Sequence, residues 1–301
     1  MVPKVVRTRY CTGKRLEAPV YRILILFFLL VTVSGCSGAS ILNALSRSPD
    51  EVERDIAYGP LARQRLDVYR PRDAGGNTPV LLFIHGGSWQ HGSKEDYPFL
   101  GSALARIGIA TVVADYRLHP EVIYPSFVED VAAAIAYTKR EIAGSRPLFL
   151  MGHSAGAHIA ALAAGDPRFL EGVANICDLV AGFIGIAGPY DFKFTEDVYK
   201  RIFPEQIRET AKPVNHASGS FPPALLLHGT DDDTVPPLRS VQMQEALRTA
   251  GNMVDLKLYE GVNHLMIVGA LAPILRSRAP TLEDIRGFVN SLSQGSSAAC
   301  D

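Results

Sequence analysis

The chain has 301 residues, 47% of them hydrophobic and 20% charged, with 26 Gly and 20 Pro. That is ordinary globular composition, and it excludes disordered, collagen-like and coiled-coil chains. Thirty basic residues against 31 acidic ones give a formal net charge of -1, so there is no basic field to hold a phosphate backbone and nucleic acid is not the expected partner.

In chain order, the first 35 residues carry Lys4, Arg7, Arg9, Lys14, Arg15 and Arg22 against a single acid, Glu17. An apolar run from Ile23 to Val33 follows, then Ser34, Gly35 and Cys36. This is the charged, apolar, small-residue order of a secretory signal. A helix crossing a bilayer needs about 20 apolar residues, so the run is too short for a permanent span. Val33-Ser34-Gly35-Cys36 resembles the lipobox of bacterial lipoproteins, which implies lipid modification of Cys36 and a membrane anchor. An ordinary signal peptide cut nearby is the alternative, and both place the mature protein outside the cytoplasm, in a periplasmic or other extracytoplasmic space. Residues 36–50 read as a tether, residues 51–295 as one domain and residues 296–301 as a tail.

Export permits disulfides. Cys11 and Cys36 lie in or beside the signal, leaving Cys177 and Cys300. Those two either pair across a long loop or stay as a buried thiol and a reactive one on the tail.

Short apolar runs recur at Pro79 to Ile84, Ile109 to Ala114, Pro147 to Met151, Val180 to Ile186 and Ala224 to Leu227. Such runs fit strands buried on both faces of a parallel sheet. Helical patterns separate them. From Ser126 to Ala143 a capping box of Ser126 and Glu129 precedes a stripe of Val128, Val131, Ala132 and Ile135; later Thr281 caps a second stripe of Ile285, Phe288, Val289 and Leu292. Strand and helix in alternation predict an α/β fold with a mostly parallel, doubly wound sheet, whose ligands bind beyond the carboxyl ends of the strands.

At one such end stands Gly152-His153-Ser154-Ala155-Gly156, after the run ending at Met151 and before the helix-compatible Ala157 to Ala164. G-x-S-x-G in a strand-turn-helix setting presents an exposed serine hydroxyl, with the helix N-terminus favouring negative charge beside it. Serine needs a base, and the base needs an acid to orient it. Of the eight histidines, only His264 follows the acidic turn Asp231-Asp232-Asp233, and both lie just after strand-like runs, Ala224 to Leu227 and Val254 to Tyr259.

Together with His85-Gly86-Gly87-Ser88-Trp89, Asp115-Tyr116-Arg117-Leu118, Gly188-Pro189-Tyr190-Asp191 and the segment His228 to Pro236, these motifs make Ile56 to Leu292 resemble an α/β-hydrolase of the esterase/lipase superfamily. The resemblance is to the hormone-sensitive-lipase-like and feruloyl-esterase-like carboxylesterases. It implies Ser154 as nucleophile, His264 as base and, from the pattern H-G-x-x-D-x-x-V-P, Asp232 as acid; spacing alone does not separate Asp232 from Asp231 and Asp233. It also implies an oxyanion hole from the N–H groups of Gly87, Ser88 and Ala155, with Ser88 departing from the H-G-G-G form. Trp89, the only tryptophan, is either a wall of the acyl pocket or core. His85 and His228 read as structural, and Asp115 to Leu118 as a brace for the site. Residues 191–221, with Phe192, Phe194, Tyr199, Ile202 and Phe203, read as a small cap or as a plain crossover.

The expectation is an exported serine carboxylesterase acting on short-chain or aryl esters through an acyl-serine intermediate, a small-molecule ester being its partner. An amidase of arylformamidase type or a noncatalytic binding protein on the same fold are the alternatives. No metal or cofactor motif stands in the sequence.

Overall fold

A computed structural model of the chain describes residues 38–46, 51–170 and 176–294. The apolar run Ile23 to Val33, Cys36, Cys300 and the tail lie outside the described residues. The chain divides into two compact units, Met1–Ile41 and Leu42–Asp301. Part of the expected tether is helical, α1 (Gly38–Leu45). Within the second unit the Asn43 side chain accepts from the Phe99 N–H at 3.0 Å and donates to the Glu95 carbonyl at 3.2 Å. The domain therefore begins before residue 51, because one polar side chain from the tether satisfies backbone groups 52 and 56 positions further along the chain.

One sheet of eight strands organises that unit, in the order β1-β2-β4-β3-β5-β6-β7-β8. The strands are β1 (Glu51–Ala57), β2 (Arg65–Arg70), β3 (Val80–Ile84), β4 (Ala110–Ala114), β5 (Leu148–His153), β6 (Gly182–Ile186), β7 (Ala224–Gly229) and β8 (Val254–Tyr259). β1 and β2 pair antiparallel at one edge, β2 also lying antiparallel to β4, and the rest of the sheet is parallel. This is the mostly parallel, doubly wound sheet that the apolar runs predict. β1 was invisible to that pattern because it is largely exposed and spells Glu-Val-Glu-Arg-Asp-Ile-Ala.

Helices cover both faces: α2 (Pro98–Arg106), α3 (Ser126–Tyr137), α4 (Ala155–Gly165), α5 (Asp197–Ile202), α6 (Leu238–Thr249), the short α7 (Met266–Gly269) and α8 (Thr281–Gln294). Residues of β3 alternate between two cores. Leu82 and Ile84 join Val128, Ile135, Ile159 and Leu162 of α3 and α4, whereas Leu81 and Phe83 join Leu100, Leu104, Ile285 and Val289 of α2 and α8. Burying a side chain of this size contributes about 1.5–3 kcal/mol, so the two apolar layers supply the rigid floor from which the strand-end loops project.

Two caps differ from expectation. The first turn of α3 is closed by the Pro125 carbonyl, which accepts from Val128 and Glu129, so Ser126 already lies inside the helix and makes no capping box. Thr281 is likewise helical: its hydroxyl donates to the Ile267 carbonyl at 2.9 Å, and Pro280 closes the turn through Asp284 N–H. After Tyr137 the α3 segment continues as a π-helical turn, Thr138–Ala143, ended by Gly144 at φ 60°. Cys177 is disulfide-bonded, while Cys300, the partner that the sequence offers, lies outside the described residues. Among the described residues no helix is long and apolar enough to cross a membrane.

Candidate active site

The turn that carries Ser154, the expected nucleophile, joins β5 directly to α4. Ser154 sits between them at φ 56° and ψ -125°, a region costly to a residue with a Cβ. A Cβ on Gly152 would lie 2.4 Å from the Gly156 carbonyl oxygen, and one on Gly156 would lie 2.1 Å from the Ile84 carbonyl oxygen. Both glycines are therefore required by the closeness of β5, α4 and β3. The Ala155 N–H opens α4, where a helix start leaves donors without intrahelical partners.

The loops after β7 and β8 bring the other two side chains to that turn. Ser154 Oγ lies 2.9 Å from His264 Nε2, and His264 Nδ1 lies 2.7 Å from Asp232 Oδ2. All three residues are buried. Thr230 Oγ1 accepts from Gly261 N–H, and the Val262 carbonyl accepts from Asp231 N–H, so the two loops are clasped. Asp232 Oδ1 accepts from the N–H groups of Thr234 and Val235 at 3.0 and 2.8 Å. Burial alone would raise the Asp232 carboxyl, but donors on His228, His264 and Val235 hold it well below the usual carboxylate range. Asp231 and Asp233 are exposed, and of the three it is Asp232 that meets His264.

Chemically, this is a hydroxyl, an imidazole and an ionised carboxylate in a hydrogen-bonded row, a geometry suited to proton transfer out of the serine. His153, next to the serine, is buried and neutral; desolvation pushes it down to about 3. Its Nε2 donates to the His264 carbonyl at 3.0 Å. Sequence reading assigned His153 no role, since its partner is 111 positions away.

The loop after β3 turns through three successive positive φ values, at Gly87, Ser88 and Trp89. Ser88 thus adopts at φ 52° a conformation favoured by glycine. The loop is closed by Gln90 and His91 N–H on the Gly87 carbonyl, and the Trp89 carbonyl accepts from His119 N–H. Behind it, His85 is fully buried, with Nε2 3.3 Å from Asp115 Oδ1 and its carbonyl accepting from Tyr116 Oη at 2.9 Å. Asp115 Oδ1 also accepts from Lys94 N–H at 2.8 Å, and Arg63 donates to the carbonyls of Gly92 and Tyr116. The segment Asp115 to Leu118 does brace the loop; Arg63 and Lys94 are parts of that brace which sequence reading missed.

Ser154, Ser88 and Ala155 line one pocket of about 250 Å³, walled by Trp89, Phe192 and Tyr199. Gly87 is adjacent in the chain but not among its lining residues. Trp89 lines that pocket and is also core: it is 3% exposed, stacked on Phe192 with ring centroids 5.0 Å apart, and edge-on to His158, Tyr199 and Phe203. Residues 191–221 run between β6 and β7 without a strand and supply Phe192 and Tyr199 to the wall. A larger apolar hollow, about 540 Å³ beside Tyr124 and Phe169, contains none of the residues just described. Among the described residues no cluster of His, Cys, Asp and Glu is placed to hold a metal ion.

Comparison with known proteins agrees with this architecture. A probable isoprenylcysteine alpha-carbonyl methylesterase of Oryza sativa subsp. japonica is 31% identical over 268 residues, 80% of this chain and 64% of that protein. Esterase LipQ of Mycobacterium tuberculosis is 32% identical over 270 residues, 80% of this chain and 63% of that protein. The chain thus spans less than two thirds of the length of these curated relatives. Among solved structures, a propionate-bound thermophilic esterase of Thermogutta terrifontis superposes with a TM-score of 0.65 at 25% identity, covering 80% of this chain and 94% of that one. Esterase B of Lactobacillus rhamnosis gives 0.71 at 19% identity, covering 93% and 97%. The fold is that of the α/β-hydrolases. Residues 66–247 match the BD-FAE family, and with more than half of its length so matched, the chain belongs to that family.

Proposed function

We propose that the protein is an exported carboxylic-ester hydrolase that works through an acyl-serine intermediate on Ser154. The observation that carries this reading is the hydrogen-bonded row from Ser154 through His264 to Asp232, opening on a pocket beside the Ala155 N–H. His264 Nε2 takes the hydroxyl proton as Oγ attacks the ester carbonyl. It returns that proton to the departing alkoxide, then takes one from water as the acyl group is hydrolysed. Asp232 stays ionised and holds the imidazole with its Nδ1 hydrogen inward. The N–H groups of Gly87, Ser88 and Ala155 receive the developing oxyanion, each donor contributing about 3–4 kcal/mol to the transition state.

The small, aromatic-walled pocket favours short-chain or aryl acyl groups, and the relatives described above are named as esterases. Hydrolysis of p-nitrophenyl esters from acetate to laurate by the wild type and Ser154→Ala tests the reading: short-chain turnover that vanishes in the variant is expected. Turnover of N-formyl anilides without ester turnover replaces it with an amidase, and no turnover of either leaves a binding protein. Anchoring through Cys36 is supported by its position after the apolar run. Membrane fractionation beside Cys36→Ala tests it, the variant being expected in the soluble fraction.

A further inference from the structure

We infer that His228 and Ser240 form a positioning pair that sets the acid Asp232 for catalysis, an inference resting on the ester-hydrolase reading above. His228, in β7, and Ser240, in α6, are both fully buried. His228 Nε2 lies 2.9 Å from the Val235 carbonyl and 3.2 Å from Asp232 Oδ2. Both neighbours are acceptors, so Nε2 carries the hydrogen and shares it between them. Nδ1 is then a lone pair, and the Ser240 hydroxyl, 2.7 Å away, donates to it.

The consequence is specific to Asp232. Its Oδ2 is held between two imidazoles, His264 Nδ1 at 2.7 Å and His228 Nε2 at 3.2 Å, while its Oδ1 takes two backbone N–H groups. Four donors fix the plane of the carboxylate. The Ser240 donation keeps His228 in the tautomer that aims a hydrogen at Asp232. A buried acceptor stripped of a charge-assisted donor is costly, and here that cost falls on the alignment of the acid with the base.

The test is steady-state kinetics on a short-chain p-nitrophenyl ester with thermal melting of the same samples, for wild type, His228→Leu, His228→Gln, Ser240→Ala and Ser154→Ala. The expected result is kcat lowered about 10- to 100-fold in His228→Leu with KM within about twofold, since the pair touches no substrate. His228→Gln, whose amide places a donor near the former Nε2, recovers most of the loss. Ser240→Ala, a smaller change that keeps the backbone, shows the same split to a lesser degree. Should His228→Leu fail to fold, Ser240→Ala and His228→Gln still decide: full kcat in Ser240→Ala, or a loss carried by KM or by melting temperature alone, overturns the inference. A wild type that hydrolyses no ester overturns the ester-hydrolase reading and this inference together, whereas an active wild type with an inactive Ser154→Ala and undiminished His228 and Ser240 variants overturns this inference only.

Discussion

The loop after β3 and the loop after β7 face the same serine but are held by opposite means. Behind the β3 loop lie charges: Lys94 Nζ, 3% exposed, is 2.7 Å from Asp55 and 3.0 Å from Asp67, and Arg63 bridges Gly92, Asp115 and Tyr116. The β7 loop is held by hydrogen-bond donors, two backbone N–H groups and His228, and no Lys or Arg is among the described contacts of the Asp232 carboxylate. Both arrangements immobilise a loop. Only the second leaves a carboxylate with no Lys or Arg against it next to His264, since a cation at hydrogen-bond distance would offset its charge.

Experiments that break this contrast are ordered by expected effect. Ser154→Ala removes the proposed nucleophile that both loops face, and kcat should fall by about 10⁶-fold, measured by ester turnover with unchanged circular dichroism. Asp232→Asn should cost about 10⁴-fold through the wrong imidazole tautomer, while Asn at 231 or 233, both exposed, changes kcat by less than about twofold. Equal losses at all three positions would remove Asp232 from its place in the row.

Lys94→Met attacks the charged side. It leaves Asp67, wholly buried, with Arg54 as its remaining cation, and breaking such a pair costs about 3 kcal/mol, read from urea unfolding. Although burial disfavours the ammonium, hydrogen bonds to Asp55 and Asp67 raise the Lys94 group above its ordinary value. Its contribution is therefore complete below the unfolded value of about 10.4 and is lost as pH rises through the folded one, so the stability gap between wild type and Lys94→Met narrows in strong alkali. Asp232 has the opposite sign. Its depressed carboxyl stabilises the fold above about pH 3.9 and ceases to as pH falls through the folded value, so the gap between wild type and Asp232→Asn closes in acid. The smallest effect is a gain: Ser88→Gly relieves a positive φ and should add about 1 kcal/mol, with kcat changed by less than about threefold.

Much of the fold was legible in the sequence. The five apolar runs correspond to β3, β4, β5, β6 and β7, since a strand buried on both faces has no choice but to be apolar throughout. The edge pair β1 and β2 was not legible, because one exposed strand needs no apolar pattern at all. Ser126 and Thr281 show the limit of local motifs: each has the right residue for a cap, yet in both cases the preceding proline carbonyl takes the first-turn N–H, and the threonine hydroxyl finds a tertiary acceptor instead.

By itself the sequence determined the alternation of strand and helix, the tight turn that carries Ser154, and the chain order that brings His264 after the acidic cluster. These are local properties, set by side-chain periodicity and by the absence of a Cβ at Gly152 and Gly156. Only the tertiary structure decided that His153 holds the His264 carbonyl, that His228 and Ser240 stand behind Asp232, and that Arg63 and Lys94 brace the loop of Gly87 and Ser88. The reason is physical: a buried polar atom must find a partner wherever the folded chain brings one, and these partners come from different strand ends and helices, so no spacing along the chain encodes them.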